Sequence, residues 1–297
     1  MAEIWYADRN GKRKNGTTGQ DRLLEFLYGH RLTRILLRPL VSPVVSRLGG
    51  AFLNSGISRI FVDSFVKKNG IDLSLYEKQT FSSYNEFFTR KIRPELRPAD
   101  PDRQVLISPG DGKVSVYPIR KNGRFLIKHT RYTAEQLLGD RMLAKRYQGG
   151  WIYVIRLTVD DYHRYCYPAD GVKSEQRILP GVLHTVNPVA NDCYPIYKMN
   201  SREYCLLKTK QFGTLVLMEV GALMVGRICN NDPGKQKVTR GAEKGRFEFG
   251  GSTIIVMTQP GVVEPDQTLL VHSAEQMETL VKQGESLGRS KKIPGAR

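Results

Sequence analysis

The sequence predicts an α+β protein, with a mostly antiparallel β core of barrel or sandwich type behind an N-terminal amphipathic helical region. Three observations predict it. Short runs rich in β-branched and aromatic residues, such as Trp151–Leu157, 213–220 and 252–257, are separated by clusters of Gly, Pro, Asn and Asp. No βαβ rhythm or internal repeat runs through them, which points away from a parallel sheet. Between residues 23 and 68 the apolar spacing changes to threes and fours, the period of helices with one apolar face.

Residues 1–20 are polar, hold Gly11, Gly16 and Gly19 with the triplet Lys12-Arg13-Lys14, and read as a mobile tail or loose first element. Helical spacing then groups Leu23, Leu24, Phe26 and Leu27, next Leu32, Ile35, Leu36 and Leu37, and last Ile57, Ile60, Phe61 and Phe65. Pro39 and Pro43 break the series, and Gly49, Gly50 and Gly56 read as further punctuation. Arg31, Arg34, Arg38, Arg47, Arg59, Lys67 and Lys68 are threaded through it, and residues 1–70 carry 12 Lys and Arg against 5 Asp and Glu. Such helices either lie in a lipid headgroup layer or cap the main domain with their arginines solvated. Further on, a helix is expected from Thr133, its N-cap, to about Leu143. The chain thus divides into a basic amphipathic region, 1–75, and a β-rich domain, 76–297.

Over 297 residues the net charge is +17 and 40% of residues are hydrophobic, a globular composition that asks for an anionic partner. No apolar run reaches the roughly 18 to 20 residues that cross a bilayer, and the first residues lack the apolar stretch of a secretory signal. Cys166, Cys193, Cys205 and Cys229 show neither C-x-x-C pairing nor metal-type spacing with histidine, so reduced thiols and no metal are expected. No recognition helix, zinc site or aromatic platform speaks for nucleic acid.

Three stretches can carry chemistry. In 246–257 two glycines precede Ser252 and Thr253 at the head of a buried strand. This is ordinarily structural, but glycines leave the Gly251 carbonyl unshielded, and Ser252 Oγ can attack it once a base takes its proton. Ser108-Pro-Gly-Asp-Gly-Lys113 is a turn with a single acid, Asp111. The stretch 160–171 packs Asp160, Asp161, His163 and Cys166 into one loop, and His184 stands alone in a later one.

Taken in order, six motifs resemble the phosphatidylserine decarboxylase proenzyme family of pyruvoyl-dependent decarboxylases. They are Phe65-Val-Lys-Lys-Asn-Gly-Ile-Asp72, Phe87-Phe-Thr-Arg-Lys-Ile-Arg-Pro94, Ser108-Pro-Gly-Asp-Gly-Lys113, Asp161-Tyr-His-Arg164, Val186-Asn-Pro188 and Gly245-Arg-Phe-Glu-Phe-Gly-Gly-Ser-Thr253, within a resemblance from about Leu27 to Leu287. The resemblance implies self-cleavage at Gly251-Ser252, giving a β subunit, 1–251, and an α subunit, 252–297, whose first residue becomes the pyruvoyl group. That group would take the substrate amine as a Schiff base and act as electron sink, turning phosphatidylserine into phosphatidylethanolamine.

Asp111 is then the processing acid, Ser252 the nucleophile and cofactor precursor, and His163 the acid that serves decarboxylation. Many members carry a second histidine where this chain has Cys166, and it activates the serine. Three residues stand open as the base here: His163 doing both jobs, His184, or Cys166, with a histidine favoured over the thiol. The resemblance also implies an anionic membrane surface as partner, a homodimer, and a peripheral place on the cytoplasmic face of the cell membrane. Two other readings stand beside it, a pyruvoyl-dependent decarboxylase of a soluble amino acid and a lipid-binding homologue that never matures.

Overall fold

The computed structural model describes residues 4–291 apart from 18, 30–32, 34–36, 38, 40, 223–226 and 249–251. One large sheet organises the chain. Its strands run in the order Gln236–Val238, Gly171–Lys173, Arg202–Lys208, Thr214–Val220, Ser252–Thr258, Trp151–Leu157, Gly112–Pro118, Glu278–Val281, Trp5–Ala7 and Arg13–Asn15. Arg177–Leu179 adds an eleventh strand beside Arg202–Lys208. Every pairing is antiparallel except that of Trp5–Ala7 with Glu278–Val281. The architecture is α+β with a sandwich-type core, and among the described residues no pairing closes the sheet into a barrel.

The three middle strands are buried on both faces, and the two-residue pleat sorts their side chains into two cores. Ile255, Met257, Ile152, Val154, Val216 and Met218 face one, under the hairpin Arg124–Ile127/Thr130–Thr133 and the helices that follow. Ile254, Val256, Tyr153, Ile155, Leu157 and Leu217 face the other. That second face is covered by two small antiparallel sheets. Arg227–Asn230, Glu243–Glu248 and Arg164–Cys166 supply Tyr165 and Phe247; Val263–Pro265, Ser286–Ser290 and Val105–Ile107 supply Leu106, Val263 and Leu287.

Three local expectations need correction. The mobile tail or loose first element expected over 1–20 instead gives two strands to the main sheet, and Arg9 between them is tied to Asp266 at 3.1 Å and Glu285 at 3.2 Å. Gly49 and Gly50 do not punctuate; they lie inside the helix Pro43–Asn54, which Ser42 caps by accepting from Val44 N, with Pro43 in the first turn. A Cβ at either glycine would meet nothing within 4 Å, so the helix tolerates them at the cost of propensity alone. The helix begun at Thr133 has its capping box but stops at Leu138, where Gly139 takes a left-handed φ of 63°, and resumes as Arg141–Lys145.

The N-terminal helices include Gly19–Gly29, Pro43–Asn54 and Ile60–Asn69, the last two joined through a 3₁₀ turn, Gly56–Arg59. Leu53 and Val62 pack with Phe81, Tyr84, Phe87 and Phe88 into a satellite cluster. The opposite side stays in solvent: Val44, Leu48 and Phe52 are 55%, 69% and 47% exposed, one per helical turn, beside Ile57, Ile60 and Phe61. Arg59, Lys67 and Lys68 are exposed near this stripe. Leu32, Ile35, Leu36, Arg31, Arg34, Arg38 and the Arg47 side chain lie outside what is described. No helix among the described residues is long and apolar enough to cross a membrane.

Candidate active site

Ser252 opens the strand at the middle of the large sheet, pairing with Leu157 on one side, while its neighbour Thr253 pairs with Val220 on the other. It is fully buried, and its Oγ has no hydrogen-bond partner among the described residues. An unpartnered buried hydroxyl costs about 1–3 kcal/mol, and Thr253 Oγ1 beside it is likewise unpartnered among the described residues. Gly251, the residue that precedes it, lies outside the described residues.

The pleat decides what Ser252 faces. It has the parity of Ile254 and Val256 and is paired with Leu157, all members of the second core. The chain that leaves Leu157 re-pairs six residues later, where Phe247 N donates to the His163 carbonyl at 2.9 Å. Segment 157–163 is thus bonded at one end to Ser252, through Leu157, and at the other to Phe247, through His163.

The His163 imidazole is buried against the Phe88 ring, with centroids 4.1 Å apart. Its Nδ1 lies 2.9 Å from the Asp161 carbonyl oxygen, which can only accept, so Nδ1 carries the proton and Nε2 keeps its lone pair. Nε2 is buried and has no partner among the described residues. Burial pulls the ring down to about 4, with Asp161 opposing. It is therefore neutral at physiological pH, in the tautomer of a base.

Asp161 holds this arrangement. Its carboxylate accepts from Thr158 N at 2.6 Å, from Thr158 Oγ1 at 2.8 Å and from Lys113 Nζ at 3.1 Å. Burial would raise it, but Lys113 and the Thr158 bonds outweigh that and hold it below the usual carboxylate range.

Of the other residues singled out in the sequence, Asp111 and Cys166 lie near each other, and His184 lies apart. Asp111 is bound on both oxygens by Arg97, with Nη2 at 2.6 Å and Nε at 2.9 Å, and by Gln283 N at 2.8 Å. No described histidine is hydrogen-bonded to it. Gly112 beside it is glycine for space, since a Cβ there would sit 2.8 Å from the Arg156 carbonyl. Cys166 is buried with Val105 and Ile107, and burial pushes its thiol up to about 12. His184 belongs to the opposite face of the sheet: its Nδ1 is 3.3 Å from Tyr28 Oη, and its ring stacks on Tyr194 at 4.9 Å. Tyr28 packs in the first core with Ile255 and Met257.

Sequence reasoning missed Arg97, Gln283, Lys113 and Phe88 as the groups that set these side chains. Lys113 and Phe88 stood inside quoted motifs, whereas Arg97 and Gln283 carried no local signal. It also missed the fully buried ion pair Arg156–Glu278, in which burial raises the carboxyl but Arg156 holds it down, near about 2. Among the described residues no cluster of His, Cys, Asp and Glu is arranged to hold a metal ion.

The fold and site define an α+β protein of open antiparallel sandwich type, with a serine buried at the head of its central strand. The family model described as phosphatidylserine decarboxylase matches residues 84–289. The "Phosphatidylserine decarboxylase proenzyme 2" of Clostridium acetobutylicum is 39% identical over 291 residues, covering 98% of this chain and 96% of the relative. The "Phosphatidylserine decarboxylase proenzyme" of Chlamydia caviae is 38% identical over 98% of this chain and 99% of its own length. That of Ruminiclostridium cellulolyticum is 38% identical over 90% and 91%. The chain belongs to the phosphatidylserine decarboxylase family.

Proposed function

We propose that this chain matures by self-cleavage between Gly251 and Ser252 and then decarboxylates phosphatidylserine to phosphatidylethanolamine. The observation that carries the proposal is the pair of buried, unpartnered atoms, Ser252 Oγ and His163 Nε2, with Ser252 and Phe247 bonded to the two ends of the segment 157–163 that bears His163. An orphan hydroxyl at that place fits a residue destined to be converted rather than to stay a serine. The pyruvoyl group formed there would supply the electron sink for loss of carbon dioxide.

Our assignment of the base is His163. Its Nδ1–H is fixed on the Asp161 carbonyl, which leaves Nε2 free to take the Ser252 proton and later to hand one on. Cys166 is disfavoured because a thiol held near about 12 gives almost no thiolate, and His184 because it stands on the other face of the sheet. Asp111 remains part of the proposed machinery as the acid that joins the segments of Arg97 and Gln283.

The exposed stripe Val44, Leu48, Phe52, Ile57 and Ile60, flanked by basic residues, supports peripheral docking on an anionic bilayer at the cytoplasmic face. It speaks against a soluble amino acid as substrate, which would need no such surface. A homodimer belongs to the same proposal. Intact mass under denaturing conditions tests the first step. Wild type should appear as two chains divided after Gly251, the second lacking a free amine, while Ser252→Ala stays whole. Phosphatidylserine vesicles given to the matured protein should then release carbon dioxide. A wild-type chain that remains whole would refute the proposal.

A further inference from the structure

A cavity of about 340 Å³ lies outside the site just described, within the range of small-molecule sites, about 300–1,000 Å³. Glu25, Lys128, His129, Asp192 and Gln276 give it polar walls, and Ile4 and Val189 are among its apolar ones. The elements around it, helix Gly19–Gly29, hairpin Arg124–Ile127/Thr130–Thr133 and helix Pro188–Cys193, pack on the face of Ile255 and Met257. Ser252 is on the other face, so this cavity is separate from the proposed catalytic site.

Two features set it apart from a packing gap. Lys128 is the first of two residues connecting the hairpin strands and has a φ of 53°, a left-handed conformation where glycine is usual. The conformation costs more for lysine than for glycine, and the lysine lines the cavity. The turn is also anchored: Lys128 N donates to Tyr117 Oη at 3.4 Å, Asn191 Nδ2 to the Ile127 carbonyl at 3.0 Å, and Tyr132 Oη to Asn191 Oδ1 at 2.5 Å.

The second feature is charge without pairing. Of the four ionisable groups in the wall, two basic and two acidic, none makes an ion pair within 4.0 Å among the described residues. Burial lowers the Lys128 amine against the opposing Glu278 and Asp192, and raises the Asp192 carboxyl against His129 and Lys128, while Asp192 and His129 keep a face to solvent. A ligand carrying both signs would satisfy both sides at once.

We propose that this cavity is a second, non-catalytic site for a zwitterionic phosphoethanolamine headgroup. Its phosphate would meet Lys128 and His129, and its ammonium Glu25 and Asp192. A bilayer is the source the position favours, because the same helix that presents Glu25 and Gly29 to the cavity exposes Leu23 at 58% and Phe26 at 53%. The headgroup is that of the product of the proposed reaction, so the biological sense rests on that reading, but the binding chemistry does not.

The test uses the full chain carrying Ser252→Ala, which has no pyruvoyl group to capture an amine, and isothermal titration with sn-glycero-3-phosphoethanolamine. Saturable one-to-one binding is expected, weakened about tenfold or more by Lys128→Gly and by Asp192→Asn. Glycine suits the turn, so Lys128→Gly should melt no lower than its parent, and a loss of binding cannot be ascribed to unfolding. Absence of saturable binding, unchanged affinity in Lys128→Gly, or equally tight binding of free serine would overturn the site. Flotation with phosphatidylcholine vesicles, with and without phosphatidylethanolamine, separates the sources. A gain from phosphatidylethanolamine that Lys128→Gly removes supports the lipid. Binding of the soluble probe without such a gain would overturn the lipid assignment in favour of a soluble phosphate ester. Because Ser252 is absent throughout, failure here leaves the decarboxylase reading standing, and failure of self-cleavage leaves this site standing.

Discussion

The state of His163 makes a quantitative prediction. Its imidazole lies at about 4 in the folded protein, against about 6.5 when the chain is unfolded. The folded state refuses a proton that the unfolded state accepts, so stability is full above pH 6.5 and falls as pH drops toward 4. At pH 5 the unfolded histidine is mostly charged and the folded one still neutral, a difference worth about 2 kcal/mol relative to pH 7. Below pH 4 both states bind the proton and this group adds no further loss. Urea denaturation of the single-chain Ser252→Ala protein should be followed at pH 7 and pH 5, beside the same protein carrying His163→Gln. The parent should lose about 2 kcal/mol more than the double variant between the two pH values. Equal losses would mean that His163 is solvated or already charged, and the assignment of a neutral base with a free Nε2 would fall.

His163→Ala should block division of the chain, whereas His184→Ala and Cys166→Ser should divide normally, all read by intact mass. Arg156→Leu strands the Glu278 carboxylate in the core and should cost about 3–5 kcal/mol in denaturant unfolding, most of it recovered when Glu278→Leu is added. Leu48→Ser with Ile60→Ser removes two exposed apolar side chains, each worth roughly 1.5–3 kcal/mol when buried in lipid. Flotation with anionic vesicles should fall more than tenfold while the melting temperature holds.

The sheet was legible because its central strands are buried on both faces and read as continuous β-branched runs: Trp151–Leu157 was anticipated to the residue. The helix Pro43–Asn54 was not, since two glycines look like breaks when the cap at Ser42 and the packing of Leu53 are unseen. Residues 5–7 were unreadable for another reason. A three-residue strand has too little pattern of its own, and its place depends on Glu278–Val281, far away in sequence. Ser252, His163 and Asp111 were all legible as candidates, but their relations were not. Which face Ser252 takes is set by its register with Leu157, and register does not show in a single strand.

That register also recasts the substitution at Cys166. In a triad a carboxylate fixes the tautomer of the base. On the assignment proposed here, the Asp161 carbonyl does this for His163 two residues away, while the Asp161 carboxylate is fully engaged with Lys113 and Thr158. The base needs no distant acid to hold its proton on Nδ1. Asp111 is correspondingly occupied, with Arg97 across both oxygens and Gln283 N on one of them. These bonds tie residues 97 and 111, in the segment before Gly251, to residue 283, in the segment after it. A histidine at position 166 would have to compete with Arg97 for Asp111, in a niche where Cys166 instead packs on Val105 and Ile107. The thiol is thus consistent with a working site, provided that activation of Ser252 has been drawn into the single loop that carries Asp161 and His163.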